Sequence, residues 1–349
     1  MRNILVTGTD GGAAQSIVKC LKLANYLSLK TRGKKEYRII TIGIDPLCVG
    51  IYTGDKGYVV SRDWGKYKEE LKRICEKEQV DLIIPGSDIE LTHFYKERDF
   101  YEKNCPPILI DYKNIPIARD KFLLQKKLKE LGFPYLKTWK KDEIEKVDVC
   151  PVVVKPRFGF GSRLLFKNVR RKHLQSILEY VEFQGWEPII QEQVLGHEYS
   201  CMTARSKDGI LLGKTVAWSV KKFGQSYKTI LKKGDPQLER IIERISEKLN
   251  SIGPLSIQVI KDVESKEYKI FELNARFTGA QIVRAIGGVN MVDMLVKNWL
   301  EGKREFRNVN KTLVAFWYHD FSYLDWDIYE ETLKKGVVEG GKVKWAKLL

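Results

Sequence analysis

One nine-residue stretch, Tyr268-Lys269-Ile270-Phe271-Glu272-Leu273-Asn274-Ala275-Arg276, constrains this chain more than any other. Its polar and apolar residues alternate with the period of a β-strand. Glu272, Asn274 and Arg276 should therefore project from one face, while Phe271, Leu273 and Ala275 suit a core. A second strand is predicted over residues 255–261, with Gln258 near its middle, and a turn around Glu264-Ser265-Lys266 would pair the two as a hairpin. Gln258 would then stand beside Glu272. A carboxylate, two side-chain amides and a guanidinium would converge on one spot. Hard oxygen ligands suit Mg²⁺, which is held by one or two carboxylates plus substrate phosphates. The arginine suits the charge on a transferring phosphoryl group. The same pattern also fits a half-exposed hairpin whose polar side chains are simply solvated, so the decision passes to the rest of the chain.

At 349 residues the chain exceeds one typical domain and can bury a large core. Its 43 % hydrophobic and 30 % charged content fits a soluble globular protein, and no apolar run is long enough to span a bilayer. Met1-Arg2-Asn3-Ile4-Leu5-Val6 enters a strand directly, without a signal-peptide pattern. Six scattered cysteines form no C-x-x-C pair, which predicts reduced thiols and a cytoplasmic location. Four histidines show no metal-ligand spacing, so zinc is not expected. The net charge of +16, from 61 basic and 45 acidic residues, admits nucleic-acid binding. However, the lysines are spread along helices and loops, often beside glutamates. A lysine-rich solvated surface, or an anionic small ligand such as a nucleotide, explains the charge as well.

Over the first third, strands at 2–7, 38–44, 56–61, 80–85 and 107–110 alternate with helices at 13–29, 66–78 and from Ser87-Asp88 to about residue 101. This alternation predicts a parallel sheet with helices on both faces. Gly8-Thr9-Asp10-Gly11-Gly12 and Asp45 suggest a dinucleotide site, but the spacing is not G-x-G-x-x-G, and a Rossmann-like domain without bound dinucleotide fits better. The loops at Gly11-Gly12, Asp45 and Gly86-Ser87-Asp88 should meet at one sheet edge. Asp88 and Glu90 there are candidates for a substrate amine, or serve only as a helix cap and first-turn charges.

In the middle, a helix is predicted from residue 117 to 131 with Lys121 in its first turn, where the helix dipole opposes a cation and an anionic ligand would offset the conflict. The strand at 151–156 ends in Lys155 and runs into Arg157-Phe158-Gly159-Phe160-Gly161-Ser162-Arg163. Such a loop can close backbone N–H groups on phosphates as a lid, or form a plain hairpin turn. A helix at 172–183 precedes strands at 187–194, 196–204 and 210–219. An extended segment can read adenine through backbone groups, and Glu198 is the carboxylate placed for ribose hydroxyls, with His197 an exposed neighbour. Residues 224–228 read as a polar loop before a helix at 235–250.

The order of these motifs resembles the ATP-grasp superfamily over residues 1–305, closest to the carbamoyl-phosphate-synthase large-subunit-like branch of stand-alone ligases. The resemblance rests on R-D-K at 119–121, V-V-V-K-P at 152–156, the F-G-F-G-S loop, Q-E-Q-V-L-G-H-E-Y-S at 191–200, and Gln258 with E-L-N-A-R. It implies a Rossmann-like pre-ATP-grasp domain (1–115) and a two-lobed ATP-grasp fold, of α/β class with α+β character towards the C-terminus. The lobes would span 116–190 and 191–305. The tail at 306–349 lies outside the resemblance; it is expected to pack on the ATP-grasp lobe, with its aromatics, such as Phe316, Trp317, Tyr318 and Trp326, packing there rather than stacking a base. The resemblance further implies ATP and Mg²⁺ (or Mn²⁺) as cofactors. Lys121 and Lys155 would hold the α- and β-phosphates, with Gly159, Gly161 and Ser162 over them. Gln191, Glu192 and Val194 would line adenine, mostly through backbone, and Glu198 would bind ribose. Gln258, Glu272 and Asn274 would bring in the metal, and Arg276 would steady the γ-phosphoryl group and the acyl phosphate. The implied partners are small-molecule carboxylate and amine substrates, with no nucleic acid and no membrane; a homodimer is left open. A full carbamoyl-phosphate synthase large subunit carries two such units and an allosteric region, whereas this chain has room for one.

The expected reaction is phosphorylation of a carboxylate, then attack by an amine or thiol, with ADP and phosphate released. Magnesium, Lys121, Lys155 and Arg276 would offset the repulsion between ATP and a carboxylate. The competing readings are a phosphotransferase on the same scaffold, a carbamoyl-phosphate-synthase-like subunit, a basic nucleic-acid-binding protein and an NAD(P)-dependent reductase.

Overall fold

The structure, a computed structural model, describes residues 1–159, 161–222, 225–231, 234–316, 322–342 and 344–345. The N-terminal domain alternates β1 (Arg2–Val6), α1 (Gly12–Arg32), β2 (Tyr37–Gly43), β3 (Lys56–Val59), α2 (Trp64–Glu78) and β4 (Leu82–Ile84). β1 pairs in parallel with β2 and β4, and β2 with β3. The apolar runs Ile4-Leu5-Val6 and Ile39-Ile40 are buried, as strands covered on both faces require. The strand order changes direction at β1, which opens a crevice between the loops after β1 and β4.

Three expectations change here. The helix after β4 breaks at Glu97 into α3 (Asp88–Lys96) and α4 (Arg98–Asn104). The strand expected at 107–110 is reduced to a single bridge between Ile83 and Ile108. Likewise the helix expected at 117–131 is two, α5 (Ile115–Arg119) and α6 (Lys121–Glu130). Asp120 separates them: its Oδ1 accepts from the N–H groups of Phe122 and Leu123, both at 3.0 Å, which caps a fresh helix at Lys121.

A four-stranded sheet follows, in the order β5-β8-β6-β7, built from β5 (Thr138–Lys140), β6 (Val152–Pro156), β7 (Phe166–Val169) and β8 (Pro188–Glu192). α7 (Arg171–Phe183) lies on it, burying Leu174, Leu178 and Val181 at helical spacing against Val152, Val154 and Ile190.

The second lobe is an antiparallel sheet of β9 (Gly196–Arg205), β10 (Leu211–Lys222), β11 (Gln225–Leu231), β12 (Gly253–Asp262), β13 (Tyr268–Asn274) and β14 (Leu313–Phe316), in the order β13-β12-β9-β10-β11-β14. One face packs Cys201, Leu255, Ile257 and Ile270 against α6 and α8 (Pro236–Lys248). The other packs Met202 and Ala204 against α10 (Met291–Glu301) and, across the domain boundary, α1. α9 (Gln281–Ile286) lies beside α1, where Ile282 N–H donates to Ser16 Oγ at 2.9 Å. Residues 225–228, expected as loop, are strand. Gln225, Ser226 and Lys228 pair in the ladder of β11 with β10, which a local polarity reading does not register. Gly224 lies outside the described residues.

The C-terminal segment departs from expectation. β14 does edge the second lobe, but α11 (Trp326–Lys335) leads into a strand that joins the N-terminal domain. After β15 (Ser322–Tyr323), β16 (Val337–Glu339) pairs antiparallel with β3, and Val338 packs on Ile51 and Tyr52; β15 itself pairs with β17 (Lys344–Trp345). An edge strand with unpaired backbone groups is thereby covered. Phe316 and Trp326, expected to pack, are each 66 % exposed, and Trp317 and Tyr318 lie outside the described residues. No helix among the described residues is long and apolar enough to cross a membrane.

Candidate functional site

The β12–β13 hairpin turns through Asp262–Glu267, where Lys266, with φ +59°, donates its N–H to Asp262 O at 3.1 Å. Gln258 stands opposite Glu272 and Ser256 opposite Asn274. β9 sets Ser200 opposite Gln258 and Glu198 opposite Ile260. Opposed residues of antiparallel strands share a face. Glu198, Ser200, Gln258, Glu272 and Asn274 therefore lie on one face of the sheet. Asn274 Nδ2 donates to Glu272 Oε1 at 3.2 Å.

Lys121 opens α6. Its Nζ donates to Gly159 O at 2.9 Å, and its N–H donates to Arg157 O at 3.2 Å. Burial pulls the ammonium below the usual lysine range. The Glu272 carboxylate opposes that pull, Arg119 adds to it, and Asp88 and Asp120 oppose it. Lys155, buried near the end of β6, donates from Nζ to Gln191 Oε1 at 2.7 Å, and Gln191 Nε2 donates to Thr138 Oγ1 at 2.9 Å. The expected adenine segment is thus partly committed elsewhere. Gln191 uses its side chain to hold Lys155. Glu192 donates its N–H to Lys137 O at 2.9 Å and accepts from Lys137 N–H at 3.0 Å. Val194 sits in the linker between β8 and β9, and Glu198 is half-buried with Lys167 Nζ 3.9 Å from its Oε1. The exposed His197 stands edge-on to Trp218.

The loop after β6 carries left-handed backbone at Gly161 and Ser162, with φ +65° and +56°. Nothing lies within 4 Å of where a Gly161 side chain would be, whereas a Cβ on Gly159 would stand 3.1 Å from Pro156 Cβ. Phe160 lies outside the described residues. Arg157 anchors the start of this loop, with Nε and Nη2 on the two Asp120 oxygens at 2.9 and 2.6 Å and Nη1 on Glu187 Oε1 at 2.8 Å.

Strand alternation sets Arg276 beside Glu272 and Asn274; its guanidinium lies in the field of the Glu272 carboxylate, although the residue stands just beyond the end of the strand. β13 ends at Asn274; Ala275 then packs into a core cluster of the N-terminal domain and Phe277 into the cluster that joins this domain to the second lobe. Arg276 turns to Asp88, with Nε on Oδ1 at 2.9 Å and Nη2 on Oδ2, while Nη1 donates to Phe277 O at 2.9 Å. Burial would raise the Asp88 carboxyl, but Arg276, aided by Arg119 and Lys121, holds it below the usual carboxylate range. Helix capping, suggested for Asp88, falls to Ser87. Glu90 is turned into the domain, accepting from Thr7 Oγ1 at 2.9 Å and Tyr67 OH at 2.7 Å. Burial pushes its carboxyl up to about 7 against those bonds. Gly8, at φ +65°, makes room for it: a Cβ there would meet Glu90 Oε2 at 2.4 Å. Sequence reading also missed Arg284, fully buried in α9, which donates to Ser200 O at 2.8 Å and Thr215 Oγ1 at 2.9 Å. Nothing in a local pattern distinguishes such an arginine from a surface one.

Among the described residues no three His, Cys, Asp or Glu side chains gather as a metal cluster. One carboxylate with two amides is a sparse cage. It would fit a Mg²⁺ that takes its remaining ligands from phosphates and water, and Lys121 lies in the field of its carboxylate.

Family models match the chain in two segments: residues 118–280 as an ATP-grasp domain and residues 14–108 as a PylC-like N-terminal domain. The chain belongs to the ATP-grasp superfamily. Every residue expected to hold ATP or the metal, and Arg276, falls in the ATP-grasp segment, whereas the substrate-amine candidates Asp88 and Glu90 fall in the N-terminal one. The fold is also similar to that of solved structures. N5-carboxyaminoimidazole synthetase from Staphylococcus aureus, complexed with ADP, superposes with a TM-score of 0.71 at 15 % identity, over 96 % of this chain and 86 % of that one. Biotin carboxylase from Campylobacter jejuni gives 0.65 at 14 %, over 85 % and 70 %. L-Amino acid ligase from Bacillus licheniformis gives 0.60 at 14 %, over 86 % and 74 %. At these identities the likeness is one of fold. None of the curated proteins matches the sequence.

Proposed function

We propose that this ATP-grasp protein is an ATP-dependent ligase that joins a small-molecule carboxylate to an amine, or a thiol, through an acyl phosphate, releasing ADP and phosphate. The observation that supports this most directly is the sharing of one sheet face by Gln258, Glu272 and Asn274, with Lys121 in the field of Glu272. Glu272, Gln258 and Asn274 would hold Mg²⁺, and Lys121 and Lys155 would hold the phosphates of ATP. The linker around Val194 would receive adenine and Glu198 the ribose. Bound MgATP supplies the phosphoryl donor and neutralises charge. The chain's task is to bind, to orient and to lower the repulsion between two anions. That task requires no nucleophilic side chain. The placement nearest the carbamoyl-phosphate-synthase-like branch, and a cytoplasmic setting, belong to the same proposal.

The test is ADP release by the purified protein against pools of amino acids and small carboxylates, with and without Mg²⁺. Release of free phosphate with each turnover supports a ligase. Phosphate retained on the product would instead make the chain a phosphotransferase, and no substrate-dependent ADP would remove the proposal.

A further inference from the structure

We propose that Asp88, in the N-terminal domain, is a positioning residue that aims the terminal edge of Arg276 as a two-pronged oxyanion cradle. The inference rests on the ligase reading above for the identity of the oxyanion, a carboxylate or a phosphoryl group, but the pairing stands on its own geometry.

A guanidinium carries five N–H donors in a fixed plane. Nε–H and one Nη2–H of Arg276 go to the two oxygens of Asp88, and one Nη1–H goes to Phe277 O. These contacts use the side edge and one of the two Nη1 hydrogens. What remains is one N–H on each terminal nitrogen, that of Nη2 on the terminal edge. That pair matches two oxygens of a carboxylate or phosphate bidentately. Among the described residues no other acceptor takes them. The backbone on either side is pinned, since Ala275 and Phe277 are 3 % and 1 % exposed in separate core clusters, one in the domain that carries Asp88 and one shared between that domain and the second lobe. Rotating the guanidinium would break both bonds to Asp88, whose side chain is 8 % exposed. Asp88 also has Arg119 Nη1 at 3.9 Å. With its two oxygens turned to Arg276 and a second guanidinium beside them, it is not a free acceptor for a substrate amine.

The test uses the full chain with Asp88→Asn, Asp88→Glu, Arg276→Lys and the Asn/Lys double variant. The Arg276 Nε–H resonance, assigned by its loss in Arg276→Lys, should be resolved in the unaltered protein. It should shift on adding inorganic phosphate, persist in Asp88→Glu and vanish in Asp88→Asn. A resonance that survives in Asp88→Asn, or ignores phosphate, overturns the proposal whether or not a substrate has been found. With substrate in hand, Asp88→Asn should lower kcat by about 10²-fold, the scale of a misplaced reacting group, with KM for ATP held within about twofold. The double variant should be no slower than Arg276→Lys alone. Independent, multiplying losses would overturn the inference. So would a rise in amine KM with kcat kept, which would make Asp88 a direct substrate contact. Recovery in Asp88→Glu separates the role from simple misfolding. Failure of the ligase reading appears separately, as absent ADP release with the Arg276 resonance behaving as described.

Discussion

Lys155 Nζ donates to Gln191 Oε1 at 2.7 Å, across neighbouring strands of the first lobe. An amide 36 residues downstream thus sets the direction of a buried ammonium. Gln191→Leu removes a charge-assisted bond worth about 1.5–3 kcal/mol. ADP affinity should fall roughly tenfold or more, and the melting temperature should drop with it. Calorimetric titration with ADP checks this, and unchanged affinity would count against Lys155 as a phosphate ligand.

Glu272→Gln keeps the shape of the metal set and removes its one carboxylate. Asn274 Nδ2 then faces an amide in place of a carboxylate, and Lys121 loses an opposing charge. Turnover should fall roughly 10²–10³-fold, the usual cost of one charge-stabilising contact, while the fold survives. Near-normal Mg²⁺-dependent ADP release by this variant would remove the site assignment.

Glu90 makes stability pH-dependent in a particular direction. Burial raises its carboxyl from 4.5 to about 7, so the folded state holds the proton more tightly than the unfolded chain. Its contribution is full below pH 4.5 and is lost as pH rises towards 7. The loss is of order 3 kcal/mol at most. Urea unfolding at pH 5 and pH 8 should show Glu90→Gln losing less stability over that interval than the unaltered protein. Equal losses would mean that Glu90 ionises normally.

Asp120 performs two tasks, capping α6 and pairing with Arg157, so its removal should be costly. Burial would raise its carboxyl, but the Arg157 bonds and the capping N–H groups hold it below the usual range. Asp120→Ala should cost about 2–4 kcal/mol at neutral pH. Because the folded carboxyl is depressed, that difference should persist above the ordinary aspartate range and shrink as pH falls through it. Denaturant midpoints at pH 7 and pH 3 check both parts, and a pH-independent difference would assign the whole effect to lost packing.

What the amino-acid order determined by itself was whatever repeats locally. Period-two alternation set Glu272 and Asn274 on one side of a strand, and the turn at Glu264-Ser265-Lys266 brought Gln258 opposite Glu272. Alternating strands and helices led to a parallel N-terminal sheet. The tertiary structure alone decided where Arg276 points, because the strand ends two residues earlier and its partner Asp88 lies 188 positions away. It also decided that Gln191 serves Lys155, that residues 225–228 join a ladder, and that β16 closes the edge of β3. Such pairings are made by side chains and edges that meet only after folding. Their energy comes from desolvated charge and satisfied backbone groups, neither of which leaves a periodic trace in the chain.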